Sequence, residues 1–372
     1  MNVPRIAFAD LRPGEDATAV DTAIRRVIDR GWFVLGPEVE AFEHELAAAC
    51  GVAASVGVGT GTDALALILR AIGIGAGDEV VTSPLSAAYT ALAVMMTGAR
   101  PVFADIDPDR LTIDPQAVAA AITPRTAAIL PVHLYGQAAD MGALEAVAAR
   151  HGLALVEDAC QAHLATAAGR PVGSIGVAGG LSFYPTKNLG ALGDGGAVIT
   201  NDRSLADRLR RLRNGGQTTR YHHQEFGVNS RLDEIQAAVL RERLVLLPKW
   251  TAERRTLAAA YRHALQDAPV VVPPECDPGH VYHLFPVRTT DRDRFQTHLR
   301  EQGIETLIHY PVPIPRQPAL EREQPQPCPV ADRVTAEICS LPLYPGLSAD
   351  AVRTVAAAIH AFSTDATPSP SA

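Results

Sequence analysis

Between Val52 and Glu157 the chain alternates between two hydrophobic periods, and that alternation limits the folds open to it. Short apolar runs at Val52–Val58, Glu79–Thr82, Pro101–Ala104, Ala127–Val132 and Leu153–Glu157 read as strands. Helical patterns at Thr62–Ile72, Ser86–Thr97, Pro115–Ile122 and Asp140–Arg150 lie between them. Strands that are apolar throughout and each followed by a helix predict an α/β fold, with a mostly parallel sheet flanked by helices on both faces. Two helices precede this array. Ala17–Arg30 is closed by Gly31, and Glu38–Ala49 starts just after Pro37.

Downstream, Leu181–Tyr184 is a β-prone run ended by Pro185, and Gly196–Thr200 reads as the next strand. Asp202–Arg213 is a basic helix with a solvated side. Ser230–Leu246 forms a further helix, with Ser230-x-x-Asp233 as its cap. Pro248 interrupts that pattern, and Trp250–Leu265 leads into a smaller C-terminal α/β domain. The small domain is expected to hold a strand at Tyr282–Arg288 and helices at Asp291–Gln302 and Ala349–Phe362. The predicted division is a large domain over 1–247, a small one over 248–363 and a disordered tail over 364–372. Dense proline between Pro311 and Pro329 predicts a stiff, extended loop.

At 372 residues, 47% of them hydrophobic and 20% charged, the chain can bury a large core. Its net charge of −8 comes without a basic tract, which argues against nucleic acid or an anionic membrane as the main partner. No apolar stretch reaches the ~20 residues of a membrane span. The early acids and proline do not suit a signal peptide. Five scattered cysteines, with no C-x-x-C pair, read as reduced thiols. A cytoplasmic location is expected.

The chemistry gathers on LSFYPTKNLGALGDGGAVITND, Leu181 to Asp202. Lys187 sits there between two strands and ahead of a glycine-rich loop. Burial lowers a lysine pKa and favours the neutral amine, a nucleophile able to form a Schiff base with an aldehyde. A lone loop lysine is more often a solvated surface group, and the glycines shift that balance without settling it.

Two further segments point to ligands. VGVGTGTDALALILR, Val56 to Arg70, reads as strand, glycine turn and helix, with Thr60-x-x-Asp63 as a capping box. Free amides at such a helix start hold phosphate, although a well-capped packing helix is the commoner outcome. A dinucleotide fingerprint is weak here. Thr62 takes the third glycine position, and Glu79 precedes its strand rather than following it. In LALVEDACQ, Asp158 ends a buried strand, where ligands of open α/β sheets bind. A buried carboxylate there needs a cation, which a protonated pyridine nitrogen or an ordinary salt bridge supplies. His133 and His163 are either supporting groups or satisfied core histidines.

These motifs together resemble the DegT-type nucleotide-sugar aminotransferases of fold type I, over about Leu35 to Ala319. The resemblance implies pyridoxal 5'-phosphate as cofactor, carried on Lys187. It places Gly61, Thr62 and Ser182 on the cofactor phosphate, Asp158 on the ring nitrogen and Gln161 on the phenolic oxygen. A related branch with histidine in place of the lysine performs dehydration, and Lys187 argues against it. The resemblance also implies a homodimer in which Asn229 reaches the neighbouring subunit's cofactor. Arg231 is a candidate for the donor's carboxylate, and equally for a structural ion pair. Family members stack an aromatic residue on the ring. Here Ala87 aligns with it and Tyr89 follows two residues later, leaving either a flat contact from Ala87 or a re-aimed Tyr89.

The stretch TLIHYPVPIPRQPA is similar to members that aminate 3-keto sugars. It implies His309 and Tyr310 as polar groups on a pocket wall and Arg316 against a diphosphate, where composition alone suggests a linker. Pro315 replaces a histidine common in the family. The expected reaction is amination of a thymidine-diphosphate 3-keto-6-deoxyhexose with glutamate as donor. A 4-keto nucleotide sugar, a uridine-linked 3-keto sugar or a cyclitol ketone is the alternative substrate. A cofactor-binding regulator without turnover and a nicotinamide dehydrogenase are the readings from other classes.

Overall fold

The computed structural model describes residues 5–323 and 326–363. The expected disordered tail, 364–372, lies outside them. Helices α1 (Ala17–Arg30) and α2 (Pro37–Cys50) end at Gly31 and Gly51, both left-handed. Strand β1 (Ala54–Val58) leads into α3 (Gly61–Ala71), and β2 (Glu79–Thr82) into α4 (Tyr89–Met96). Then come β3 (Arg100–Phe103), α5 (Pro115–Ala121), β4 (Thr126–Leu130), α6 (Met141–His151) and β5 (Ala154–Asp158). A small hairpin, β6 (Thr166–Ala167) and β7 (Arg170–Pro171), precedes β8 (Ala178–Ser182), β9 (Gly196–Thr200) and α7 (Arg203–Leu212).

Seven strands form one sheet in the order β1-β9-β8-β5-β4-β2-β3. Only β9 runs against its neighbours, so the sheet is mostly parallel. One apolar layer packs α2 and α6 on one face; the other packs α3, α4 and α7. The carboxyl ends of β4, β5 and β8 therefore open on the same edge.

Strand β8 departs from expectation: it begins at Ala178 and ends at Ser182, leaving Phe183 and Tyr184 beyond it. Its glycines, poor β-formers, hide it in the sequence. Contact explains them, because a Cβ on Gly179 would lie 2.4 Å from Gly173 Cα and 2.7 Å from Gly173 O. Helix α4 starts at Tyr89, three residues later than the apolar pattern suggests, after a loop stitched by Ser83 Oγ and the Leu85 backbone.

A hairpin, β10 (Gln217–Thr219) and β11 (His222–His223), precedes α8 (Glu234–Ala264). Helix α8 corrects two expectations. It starts at Glu234, and Ser230 does not cap it. Ser230 Oγ instead accepts from Gly59 N at 2.9 Å and donates to Asp63 at 2.8 Å, tying this segment to the start of α3. Pro248 lies inside α8 without ending it. An interior proline costs about 3 kcal/mol, and anchors on both sides offset it. Arg241 binds Glu38 at 2.7 Å, Arg243 binds Asp16 at 2.8 Å, and Arg254 donates to the carbonyls of Tyr282, His283 and Leu343. The helix thus crosses the expected 247/248 boundary unbroken.

The smaller unit packs the C-terminal part of α8 against β12 (Phe285–Arg288), α9 (Arg292–Glu301), β13 (Ile338–Leu341) and α11 (Ala349–His360) around its own apolar cluster. The proline-rich segment is not extended. It makes 3-10 turns at Ile314–Arg316 and Pro318–Glu323, and then α10 (Pro329–Glu337) starts at a proline.

Candidate active site

The site is built where β5, β8 and α3 converge. Asp158, the last residue of β5, is 4% exposed. Thr90 Oγ1 on α4 donates to its Oδ2 at 2.7 Å, and Cys160 N donates to its Oδ1 at 3.1 Å. Ser86 Oγ lies 3.2 Å from Thr90 Oγ1, so the hydroxyl that holds Asp158 is itself held. Two donors thus satisfy this buried carboxylate, which has no salt bridge among the described residues.

Helix α3 starts against the end of β8. Thr60 Oγ1 caps it by accepting from Asp63 N at 3.0 Å. The amides of Gly61 and Thr62 have no protein acceptor among the described residues, which leaves an anion-binding helix start. A Cβ on Gly61 would stand 2.7 Å from Ser182 Cβ and 2.8 Å from Cys160 Sγ, so only glycine lets α3, Ser182 and Cys160 meet. His163 Nε2 donates to Ser182 O at 2.8 Å. Burial, with help from the Lys187 charge, lowers His163 to about 3 and keeps it neutral. It packs beside the site, one of the two placements open to it from sequence.

Lys187 lies in the loop between β8 and β9, its amide bonded to Tyr184 O at 2.8 Å. Burial lowers its pKa, while Cys160 and Asp158 oppose that shift.

Gln161 joins this floor to the wall above it. Its Oε1 accepts from Tyr135 N at 2.8 Å, and its Nε2 donates to Tyr310 OH at 2.9 Å. Burial pushes Tyr310 up to about 12, and the Asp158 charge adds to this, so its hydroxyl stays a donor. His309 Nδ1 lies 3.0 Å from Ser340 Oγ, and burial, with the Lys187 charge, lowers it to about 4.

Lys187 and His309 line a cavity of about 560 Å³ with Phe8, Leu11, Arg12, Lys249, Trp250, Arg254 and His283. Its four acids face cations: Asp10 pairs with Arg12 at 2.6 Å, Asp16 with Arg243 at 2.8 Å, and Glu15 with Lys249, which also lies 3.9 Å from Glu253. Lys187 and Arg254 have no carboxylate partner among the described residues, so the cavity suits an anionic ligand.

Three sequence candidates stand apart from this cluster. Asn229 is exposed and makes a backbone bridge to Asn214. Arg231 donates to Asn214 Oδ1 at 3.1 Å. Arg316 pairs with Asp332 at 2.7 Å and does not line the cavity with Lys187. Ala87 is half-buried, with its carbonyl accepting from Thr90 N at 3.3 Å, whereas Tyr89 is 64% exposed. Sequence reasoning missed Thr90 and Tyr135. The hydroxyl in the otherwise apolar run YTALAVMM was the one signal for Thr90.

Residues 15–360 match the DegT/DnrJ/EryC1/StrS aminotransferase family. The chain belongs to that family. It is 48% identical over 352 residues to the dTDP-3-amino-3,4,6-trideoxy-alpha-D-glucose transaminase of Streptomyces venezuelae, covering 92% of each chain. It is 49% identical over 367 residues to the erythromycin biosynthesis sensory transduction protein EryC1 of Saccharopolyspora erythraea, covering 97% of this chain and all of that one. The crystal structure of S. venezuelae DesV in complex with a ketimine intermediate superposes with a TM-score of 0.93 at 48% identity, over 96% of this chain and 98% of that one. The fold is that of the type I aminotransferases. The protein is a pyridoxal-phosphate-dependent aminotransferase, and the dehydrogenase and silent-regulator readings fall away. No helix among the described residues is long and apolar enough to cross a membrane.

The residues present fit the cofactor. A desolvated amine, an anchored buried carboxylate and two free helix-start amides against Ser182 match its aldehyde, ring nitrogen and phosphate in kind.

Proposed function

We propose that this aminotransferase moves the amino group of glutamate to C3 of a thymidine-diphosphate-linked 3-keto-6-deoxyhexose. The observation that carries transamination is the family match over residues 15–360 together with Lys187 lining the cavity, its pKa lowered by burial. The choice of sugar rests on the 3-amino product named for the Streptomyces relative and on His309 and Tyr310 of the TLIHYP stretch.

In this reading the Gly61 and Thr62 amides and Ser182 hold the phosphate, and Asp158 pairs the ring nitrogen. Gln161 Nε2 has a second N–H for the phenolic oxygen, and Ala87 offers the flat contact over the ring. When bound, the cofactor supplies an electron sink for the pair left when a proton departs the donor's alpha carbon. Lys187 Nζ, whose pKa burial lowers, accepts that proton and later returns it. The His309 ring, which lines the cavity, and the adjacent Tyr310 OH are the polar groups this reading offers to the keto sugar. Arg231 remains the candidate for the donor carboxylate, and Asn229 for a phosphate across a homodimer.

The test offers 3-keto and 4-keto isomers on the same nucleotide, with glutamate, and locates the new amine by NMR. Amination of the 3-keto isomer is expected. Amination of only the 4-keto isomer, or of only a free cyclitol ketone, would show that His309 and Tyr310 were misread.

A further inference from the structure

The segment after β4 carries the PVHLYGQ motif, which the chemistry so far leaves unused. His133 turns away from the site. Its Nε2 lies 2.9 Å from Glu157, and its Nδ1 accepts from Ala139 N at 3.1 Å. Tyr135 faces the site instead. Its backbone N–H donates to Gln161, and its hydroxyl donates to the carbonyl of His309. Gln161 in turn donates to Tyr310 OH at 2.9 Å. Because His309 and Tyr310 are consecutive, these three bonds close a ring that starts and ends on Tyr135.

The backbone is forced to serve that ring. Tyr135 is left-handed at φ 58, a conformation unfavourable for a side-chain-bearing residue that persists only where its surroundings impose it. Gly136 follows at φ 95, and a Cβ there would lie 2.8 Å from His283 N. The smaller unit clamps both residues: Leu284 N donates to Tyr135 O at 3.3 Å and Val281 N to Gly136 O at 3.0 Å. The ring of Tyr135 is 3% exposed and belongs to the apolar cluster that also holds Leu284 and Ile314.

We propose that Tyr135 is a positioning residue for the acceptor half of the reaction: its hydroxyl fixes the His309–Tyr310 segment against the keto sugar. This rests on the reading of His309 and Tyr310 as the sugar wall. Burial holds the Tyr135 hydroxyl well above its ordinary pKa, so the tie persists at every working pH. Gln161 keeps its bond to the Tyr135 amide whatever the side chain, so removing the hydroxyl spares the cofactor side.

The test is Tyr135→Phe in the holoenzyme. The glutamate half-reaction, followed by the cofactor's absorbance change with glutamate alone, should stay within about twofold of wild type. KM for the keto sugar should rise about tenfold with kcat changed less. Equal losses in both half-reactions, or no change in either, would overturn the proposal, the first pointing to a general packing role. Amide exchange supplies a readout that needs no sugar. Leu307 to Ile314 should exchange faster in Tyr135→Phe holoenzyme, and unchanged protection there would also overturn it. Wild type that fails to aminate any 3-keto sugar would refute the substrate reading alone.

Discussion

At the residue scale this chain lowers the pKa of one lysine by burial and anchors one buried carboxylate with two donors. Lys187 is depressed chiefly by burial, and Asp158 is held by Thr90 and the Cys160 amide. Asp158→Asn keeps the shape of that pair and removes the charge that would keep a ring nitrogen protonated. The variant should retain the cofactor yet lose about 100-fold in kcat, equivalent to ~2.7 kcal/mol of barrier. Cofactor absorbance together with steady-state turnover checks both halves, and near-normal turnover would make Asp158 structural. Lys187, Asp158 and Gly61 could be proposed from sequence because each sits in a local motif whose neighbours announce it. Thr90 and Tyr135 were not, because what defines them is a partner 68 residues away for Thr90 and 174 for the Tyr135 hydroxyl.

At the scale of elements, the βα alternation was read with small boundary shifts because apolar period depends on burial alone. It failed where a contact overrides propensity. The glycines of β8 are there because the Gly173 backbone leaves no room for a side chain, and α8 carries Pro248 because ion pairs and carbonyl contacts hold both of its halves. Gly179→Ala tests the first of these. Its new Cβ would press on backbone rather than on a yielding side chain, so overpacking should cost about 1–3 kcal/mol. A fall in the denaturation midpoint is expected. An unchanged midpoint would mean that β8 and the Gly173 turn are less tightly apposed than the structure has them.

At the scale of the molecule, two apolar layers around one sheet carry the candidate cofactor residues, and Leu307 and His309 line the cavity beside Lys187. The TLIHYP stretch pointed to His309 and Tyr310 on a pocket wall, but the prolines after it suggested an extended loop, whereas the chain makes tight 3-10 turns there. A homodimer with shared sites would explain why Asn229 is exposed in one chain. Lys187→Ala and Asn229→Ala, each inactive alone, should regain activity when dissociated, mixed and reassociated, because one site in the mixed dimer is then intact. Mixed dimers without activity would place the action of Asn229 within its own chain or remove it.

The most direct test of the central claim is borohydride reduction of the holoenzyme followed by peptide mapping. The account predicts the cofactor fixed covalently on Lys187 and on no other residue. Cofactor fixed on another lysine, or none retained by the wild-type protein, would contradict it.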